Sequence, residues 1–155
     1  MKAIDRAYAH AARAAMQALR TLAGVFLACC ALLAADTRVL DRDFYAALAA
    51  REAVGRDFFL DENLNGIIHG KGYVDAIGES TRFHRKYRIS VISTMVTGLN
   101  IVYYIHTDNA SYMKLLKKKD LFEFKGQFVI YTPLSSRRDS YIFDIILEEG
   151  AVVLE

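Results

Sequence analysis

Beyond Gly66 the chain alternates apolar and polar residues with a period of two. Tyr87, Ile89 and Val91 are separated by Arg88 and Ser90, and Ile101, Tyr103 and Ile105 by Val102 and Tyr104, with His106 next. Phe122, Phe124, Phe128 and Ile130 alternate with Glu123, Lys125, Gln127 and Val129. Tyr141, Phe143, Ile145 and Leu147 alternate with Ile142, Asp144, Ile146 and Glu148. Successive side chains of a strand point to opposite faces, so the pattern predicts four strands with one buried face each. An earlier strand is predicted over about Ile67 to Ile77, where Gly70 and Gly72 predict a bulge or bend.

Two stretches change to helical spacing. From Asp41 to Val54, Phe44 and Leu48 recur in an alanine-rich run and Gly55 offers a stop, which predicts a helix. Phe58, Phe59 and Leu60 follow as an apolar patch before the turn-prone run Asp61 to Gly66. Between the third and fourth strands, Asp108 to Lys119 predicts a short helix. Asp108 or Asn109 can cap it, Tyr112, Leu115 and Leu116 give it an apolar side, and Lys117–Lys119 sit where the helix dipole favours cations.

The order strand, strand, strand, helix, strand, strand predicts a mainly β domain with helices (α+β). It is that of the OB-fold, a five-stranded Greek-key barrel with a helix between strands three and four. The alternative is another small antiparallel sheet carrying one helix.

The first residues read differently from the rest. Thr21 to Ala35 is apolar without a charge, and Lys2, Arg6, Arg13 and Arg20 precede it against Asp5 alone. A basic start, an apolar run and small residues form the pattern of a secretory signal. The predicted organisation is therefore a signal peptide over 1–35, a helical segment over 36–60 and the barrel over 61–155. Met16 would begin a more ordinary signal, and an organelle transit peptide is the alternative address. Cleavage is expected after Ala31 or Ala35. Phe26-Leu27-Ala28-Cys29 also resembles a relaxed bacterial lipobox, in which Cys29 would carry a lipid and hold the domain at a membrane surface. The expected location is periplasmic or lipid-anchored, with no membrane span in the mature domain.

Removing the leader changes the charge. The chain holds 20 basic and 18 acidic residues; four and one of them lie in residues 1–35, leaving 16 against 17. The net positive charge thus belongs to the leader, and a global electrostatic case for nucleic-acid binding goes with it. Both cysteines, Cys29 and Cys30, also lie there. That excludes a disulfide framework, a thiolate metal site and thiol catalysis from the barrel.

Two segments resemble a known group. GKGYVDAIGE (Gly70 to Glu79) is similar to the first strand, and LLKKKDLFEFKGQF (Leu115 to Phe128) to the helix end and fourth strand, of bacterial exported OB-fold proteins of the tRNA-anticodon-like group. Lys119 stands where that group often has glycine. The resemblance covers about Gly66 to Leu147. It implies the fold, a helix before the barrel and export or a lipid anchor, and it implies no catalytic residue.

Ligands of OB barrels usually lie across strands two and three, between the loops joining strands 1–2 and 4–5. Here those loops are Ser80 to Lys86 and Pro133 to Asp139, and both are basic. Candidate ligand-binding residues are Arg82, Phe83, Arg85, Arg88, Tyr104, His106, Arg137 and Arg138. They combine cations for phosphate with rings for stacking, as single-strand binding requires. The expected role is a binding module without catalysis or cofactor, taking an anionic polymer such as single-stranded nucleic acid or an acidic glycan. An envelope protein as partner, met by the Asp41–Val54 helix or by Val102 and Tyr104, is the alternative. A metal-dependent nuclease built on Asp75, Glu79, Asp108 and Arg88 is a further one. Asp61-x-Asn63-x-Asn65-Gly66 matches the opening of a calcium loop, yet the position that should be a bidentate Glu is Gly72, so a turn is expected. His69, His84 and His106 have no metal-ligand spacing, and His69 and His106 are expected at the surface or rim.

Overall fold

The computed structural model describes residues 38–153. The expected signal peptide and Cys29 lie outside them.

Strands β2 (Ile67–Glu79), β3 (Tyr87–Ser93), β4 (Asn100–Thr107), β5 (Leu121–Pro133) and β6 (Ser140–Val153) form the barrel. A two-residue strand β1 (Val39–Leu40) pairs parallel to the start of β2. Around the barrel the order is β2-β3-β4-β6-β5, and β5 returns to β2. β4 and β6 run parallel and the other barrel pairs are antiparallel, which is the OB-fold arrangement. Closure depends on β2 serving two neighbours. Its first half pairs with β5 through Ile67–Tyr73, and its second half pairs with β3 through Gly72–Glu79.

Strands that serve two neighbours must bend sharply, and Gly72 permits it. A Cβ there would stand 2.0 Å from the Ile92 carbonyl oxygen. The register shift, however, falls between Val74 and Ala76 and not at the glycines. The glycines therefore supply close approach, and the bulge lies three residues further on.

The inward positions are mostly those the alternation predicts, except that Ile130, which follows the register shift after Phe128, is exposed and Tyr87 and Leu147 are half-buried. Ile89, Val91, Ile101, Tyr103, Ile105, Phe122, Phe124, Phe128, Tyr141, Phe143 and Ile145 are all buried. Each buried aromatic or aliphatic side chain contributes about 1.5–3 kcal/mol. A polar chain runs through this interior. Ser93 Oγ and Tyr103 Oη lie 2.9 Å apart, Tyr103 Oη donates to Tyr45 Oη at 2.8 Å, and Tyr45 Oη donates to the His69 carbonyl at 3.0 Å. Burial raises both phenols, Tyr45 well above its ordinary range and Tyr103 to about 12.

Tyr45 belongs to helix α1 (Arg42–Ala49), and a second helix, α2 (Ala53–Asp61), follows where one helix over Asp41–Val54 is predicted. Phe44 and Leu48 are buried, but helical spacing next brings Arg51 and Glu52, which cannot continue that face. The chain breaks there and restarts, so that Phe59 and Leu60 join the same core. Arg51 caps the break, donating to the Ala47 carbonyl at 2.7 Å with its guanidinium 4.0 Å over the Phe59 ring.

The helix between β4 and β5, α3 (Ser111–Leu115), is far shorter than Asp108–Lys119. Asp108 is drawn to Arg85 instead of capping it, and Asn109 Oδ1 accepts from the Ser111 N–H at 2.9 Å. Lys119 ends the segment at φ 76, the left-handed region where glycine is at ease. Its N–H donates to the Val74 carbonyl at 2.7 Å, so a register-setting bond compensates the strain.

The run Asp61 to Gly66 is a turn. Asn63 is buried and donates to the Phe59 carbonyl at 2.6 Å, and Asn65 adopts φ 65. Among the described residues no three His, Cys, Asp or Glu side chains cluster about a common metal position. No helix among them is long and apolar enough to cross a membrane.

Candidate functional site

With Ile89, Val91, Ile101, Tyr103 and Ile105 inside, the outward positions of β3 and β4 are Arg88, Ser90, Ile92, Val102, Tyr104 and His106, of which Ser90 and His106 are buried. On β6 the same face continues with Ile142, Asp144 and Ile146, because Tyr104 pairs with Asp144 and His106 with Ile146. At its centre the Arg88 guanidinium lies over the Tyr104 ring at 4.4 Å. Such a pair combines a flat stacking surface with a cation that the ring holds in place.

The two basic loops stand at opposite ends of this face. Tyr87 pairs with Thr107, which puts Ser80–Lys86 beside the end of β4. Asn100 pairs with Ser140 and its N–H donates to the Asp139 carbonyl at 2.8 Å, which puts Leu134–Asp139 beside the start of β4. Seven residue-to-residue steps along the eight-residue β4 separate the ends, about 23 Å at 3.3 Å per step.

The β2–β3 loop is closed by its own bonds. The Ser80 N–H donates to the Lys86 carbonyl at 2.8 Å and the Arg82 N–H to Ser80 Oγ at 3.2 Å. Arg85 Nη1 donates to Asp108 Oδ2 at 2.7 Å and the Lys86 N–H to Asp108 Oδ1 at 3.1 Å, tying the loop to β4. These bonds, that from Arg85 foremost, hold the Asp108 carboxyl below its usual range. Within the loop Phe83 and His84 both take the left-handed region, at φ 55 and φ 56. Each such residue costs roughly 1–2 kcal/mol. On its outer side, Glu79–Thr81 and His84–Tyr87 border an open depression of about 740 Å³.

Beneath this loop lies a buried polar pair. His106 and Asp144 are both 0% exposed, with His106 Nε2 2.8 Å from Asp144 Oδ1. A carboxylate oxygen only accepts, so the contact calls for a proton on Nε2, which in the neutral ring leaves Nδ1 an acceptor. Phe83 covers the imidazole edge-on at 5.0 Å between ring centres. Arg82 reaches in from the half-exposed rim, its Nη2 3.1 Å from Asp144 Oδ2, in ion-pair contact but off the hydrogen-bonding direction. Asp144 Oδ2 and His106 Nδ1 consequently have no hydrogen-bond partner in the protein.

The β5–β6 loop divides its two arginines. Arg137 is largely exposed, with Asp139 3.8 Å away. Arg138, at φ 56, turns back to α2, where its Nε donates to Asp57 Oδ2 at 2.7 Å. Arg56 Nη1 answers with a bond to the Arg138 carbonyl at 2.9 Å. Tyr131 Oη donates to Asp61 Oδ1 at 3.0 Å and Tyr141 Oη to Asp57 Oδ1 at 3.4 Å. Burial, with these carboxylates beside them, pushes both phenols up to about 12.

Of the residues predicted from the sequence, Arg88 and Tyr104 come together on the outer face, with Arg82 and Arg85 at one end and Arg137 at the other. Arg138 faces helix α2. His106, expected at the surface or rim, points outward from the barrel but is sealed by Phe83. Of the two acids that organise the Ser80–Lys86 loop, Asp144 is missing from the predicted set, and Asp108 enters it only as a helix cap and in the nuclease alternative. Alternation marks Asp144 as merely solvent-facing, and only the loop folded over it makes it buried. Asp75, proposed for a metal, is paired with Lys118 at 3.0 Å.

Solved structures with a similar backbone course include two of the asparaginyl-tRNA synthetase of Entamoeba histolytica. The one in complex with asparaginyl-adenylate has a TM-score of 0.39 at 12% identity, covering 57% of this chain and 21% of that one. The other has a TM-score of 0.41 at 16% identity, covering 74% and 23%. A third, OBody AM3L09 bound to hen egg-white lysozyme, has a TM-score of 0.38 at 15% identity, covering 58% and 83%. The chain thus spans less than a quarter of the length of the synthetases it resembles. No protein-family model matches the sequence, and no curated protein matches it.

Proposed function

We propose that this domain is a binding module for single-stranded nucleic acid, held across the outer face of β3 and β4 without chemistry of its own. The carrying observation is the Arg88 guanidinium stacked 4.4 Å over Tyr104, midway between two basic loops. A base stacks on such a platform, while Arg82, Arg85, Lys86 and Arg137 at the two ends meet the phosphates on either side. An acidic glycan would use the same arginines.

Ion contacts of this kind release counterions, so affinity must fall steeply with salt. The test is a salt titration of oligonucleotide binding, repeated with Arg85→Ala and Arg137→Ala combined. Absence of binding at low salt, or a salt slope untouched by the double substitution, would sink the proposal.

A second reading, a protein partner, draws on a different surface. Val54 and Phe58 stand one helical turn apart on α2 and are 70% and 67% exposed. Crosslinking from Phe58 in cells that recovers no protein would count against it.

A further inference from the structure

We infer that the Ser80–Lys86 loop is a latch closed over a nucleobase subsite, in which the ring of an unpaired base replaces Phe83 on His106. Asp144 Oδ2 and His106 Nδ1 then accept hydrogen bonds from the edge of that base. The inference rests on the single-strand reading above and goes further, because it names the pocket that recognises the base.

Three observations meet at this point. Two acceptor atoms on fully buried residues lack a well-directed hydrogen bond, Asp144 Oδ2 having only the off-axis Arg82 contact at 3.1 Å, although buried polar groups are almost always satisfied. The group packed on His106 is a phenyl ring, which has the shape of a base and none of its hydrogen-bonding edge, while Arg82 lies against Asp144. The segment carrying that ring holds two consecutive non-glycine residues at positive φ, a conformation that persists only when surrounding contacts impose it. Arg82 and Phe83 are adjacent, so one movement of the loop removes both the ring from His106 and the cation from Asp144. The vacated space adjoins the Arg88–Tyr104 platform, since Tyr104 and His106 are neighbours on one face of β4, about 7 Å apart.

The exposed chemistry selects the ligand. Asp144 Oδ2 accepts, and with the ring proton on Nε2 so does His106 Nδ1. A pair of acceptors favours bases that carry an exocyclic amine, cytosine, adenine or guanine, over thymine or uracil, whose only edge donor is the ring N–H. A closed latch also taxes affinity, because the apparent dissociation constant rises as the open fraction falls.

The experiment compares the full chain with Phe83→Gly and Phe83→Ala. Glycine suits φ 55 and vacates the ring position, so it opens the pocket without straining the loop. Labelled oligo-dC and oligo-dT are titrated by fluorescence anisotropy at low salt, and the His106 imidazole nitrogens are followed by NMR. Both variants are expected to bind oligo-dC about fivefold or more tightly than the unaltered chain. Oligo-dT should bind more weakly throughout, and the His106 signals should shift on saturation. Weaker binding by the variants would make Phe83 a contact and overturn the latch. Unchanged binding with unmoved His106 signals would also overturn it while leaving the single-strand reading intact. Equal affinity for oligo-dC and oligo-dT would overturn the edge recognition. Failure of every chain to bind either oligonucleotide would remove both readings.

Discussion

Replacing His106 should be far more damaging than neutralising the acid it faces. In His106→Leu the Asp144 carboxylate stays fully buried and loses its Oδ1 donor at 2.8 Å. Leaving a buried carboxylate without its partner in this way costs about 3–5 kcal/mol. Arg82, whose side chain is 49% exposed, can close on the orphaned carboxylate, but an exposed partner returns no more than about 1 kcal/mol. The net loss is about 2–4 kcal/mol. Asp144→Asn keeps an oxygen for the imidazole N–H and frees Arg82 to water, so its cost should stay below about 1.5 kcal/mol. The combined His106→Leu, Asp144→Leu chain removes both polar partners together and should be more stable than His106→Leu alone. Urea unfolding followed by circular dichroism measures all three and Asp144→Leu alone, with unchanged m-values as the check that the unfolded states are comparable. His106→Leu within about 0.5 kcal/mol of the unaltered chain, or a double substitution that equals the sum of its parts, would refute the buried pair.

Other consequences can be read with simpler means. Lys119→Gly should raise stability by about 0.5–1 kcal/mol in the same unfolding assay, because glycine tolerates φ 76 and keeps the bond to the Val74 carbonyl. Tyr45 and Tyr103 have pKa values raised by burial, so their stabilisation is complete below the ordinary value of 10 and is lost as pH climbs above it, for Tyr103 through about 12. In an alkaline titration of phenolate absorbance these two should ionise only as the fold melts; their release before unfolding would contradict the buried chain. For the leader, mass spectrometry of the mature chain from its native host should find an N-terminus at Leu32 or Asp36, or a lipid on Cys29. A retained Met1 would contradict export by this segment.

The strands were legible because a period of two needs no partner to be recognised: Ile89, Val91, Ile101, Ile105, Phe143 and Ile145 declare an inner face by themselves. The outer face was not legible in the same way. His106 and Asp144 occupy polar positions of that alternation, and their burial comes from Phe83, a residue whose place is set by a loop. Long-range pairing was equally invisible. Arg138 and Asp57 are 81 residues apart, and Arg85 and Asp108 are 23, so the two basic loops read as flanking a free face although the fold gives each of their arginines a carboxylate neighbour. The break between α1 and α2 was within reach, since Arg51 and Glu52 fall where the buried stripe needs apolar residues. Strand β1, two residues long, is too short for any pattern. The outward placement of Arg88 and Tyr104 was legible because both residues sit on strands whose inward neighbours the alternation marks.

The central claim is that a single strand lies across β3 and β4. Backbone amide shifts recorded while an oligonucleotide is added to isotopically labelled protein test it most directly. The account predicts perturbations at Arg88, Ser90, Val102 and Tyr104, spreading to Ser80–Lys86 at one end and to Arg137 at the other. Shifts confined to α2 around Val54 and Phe58, or absent at low salt, would contradict it.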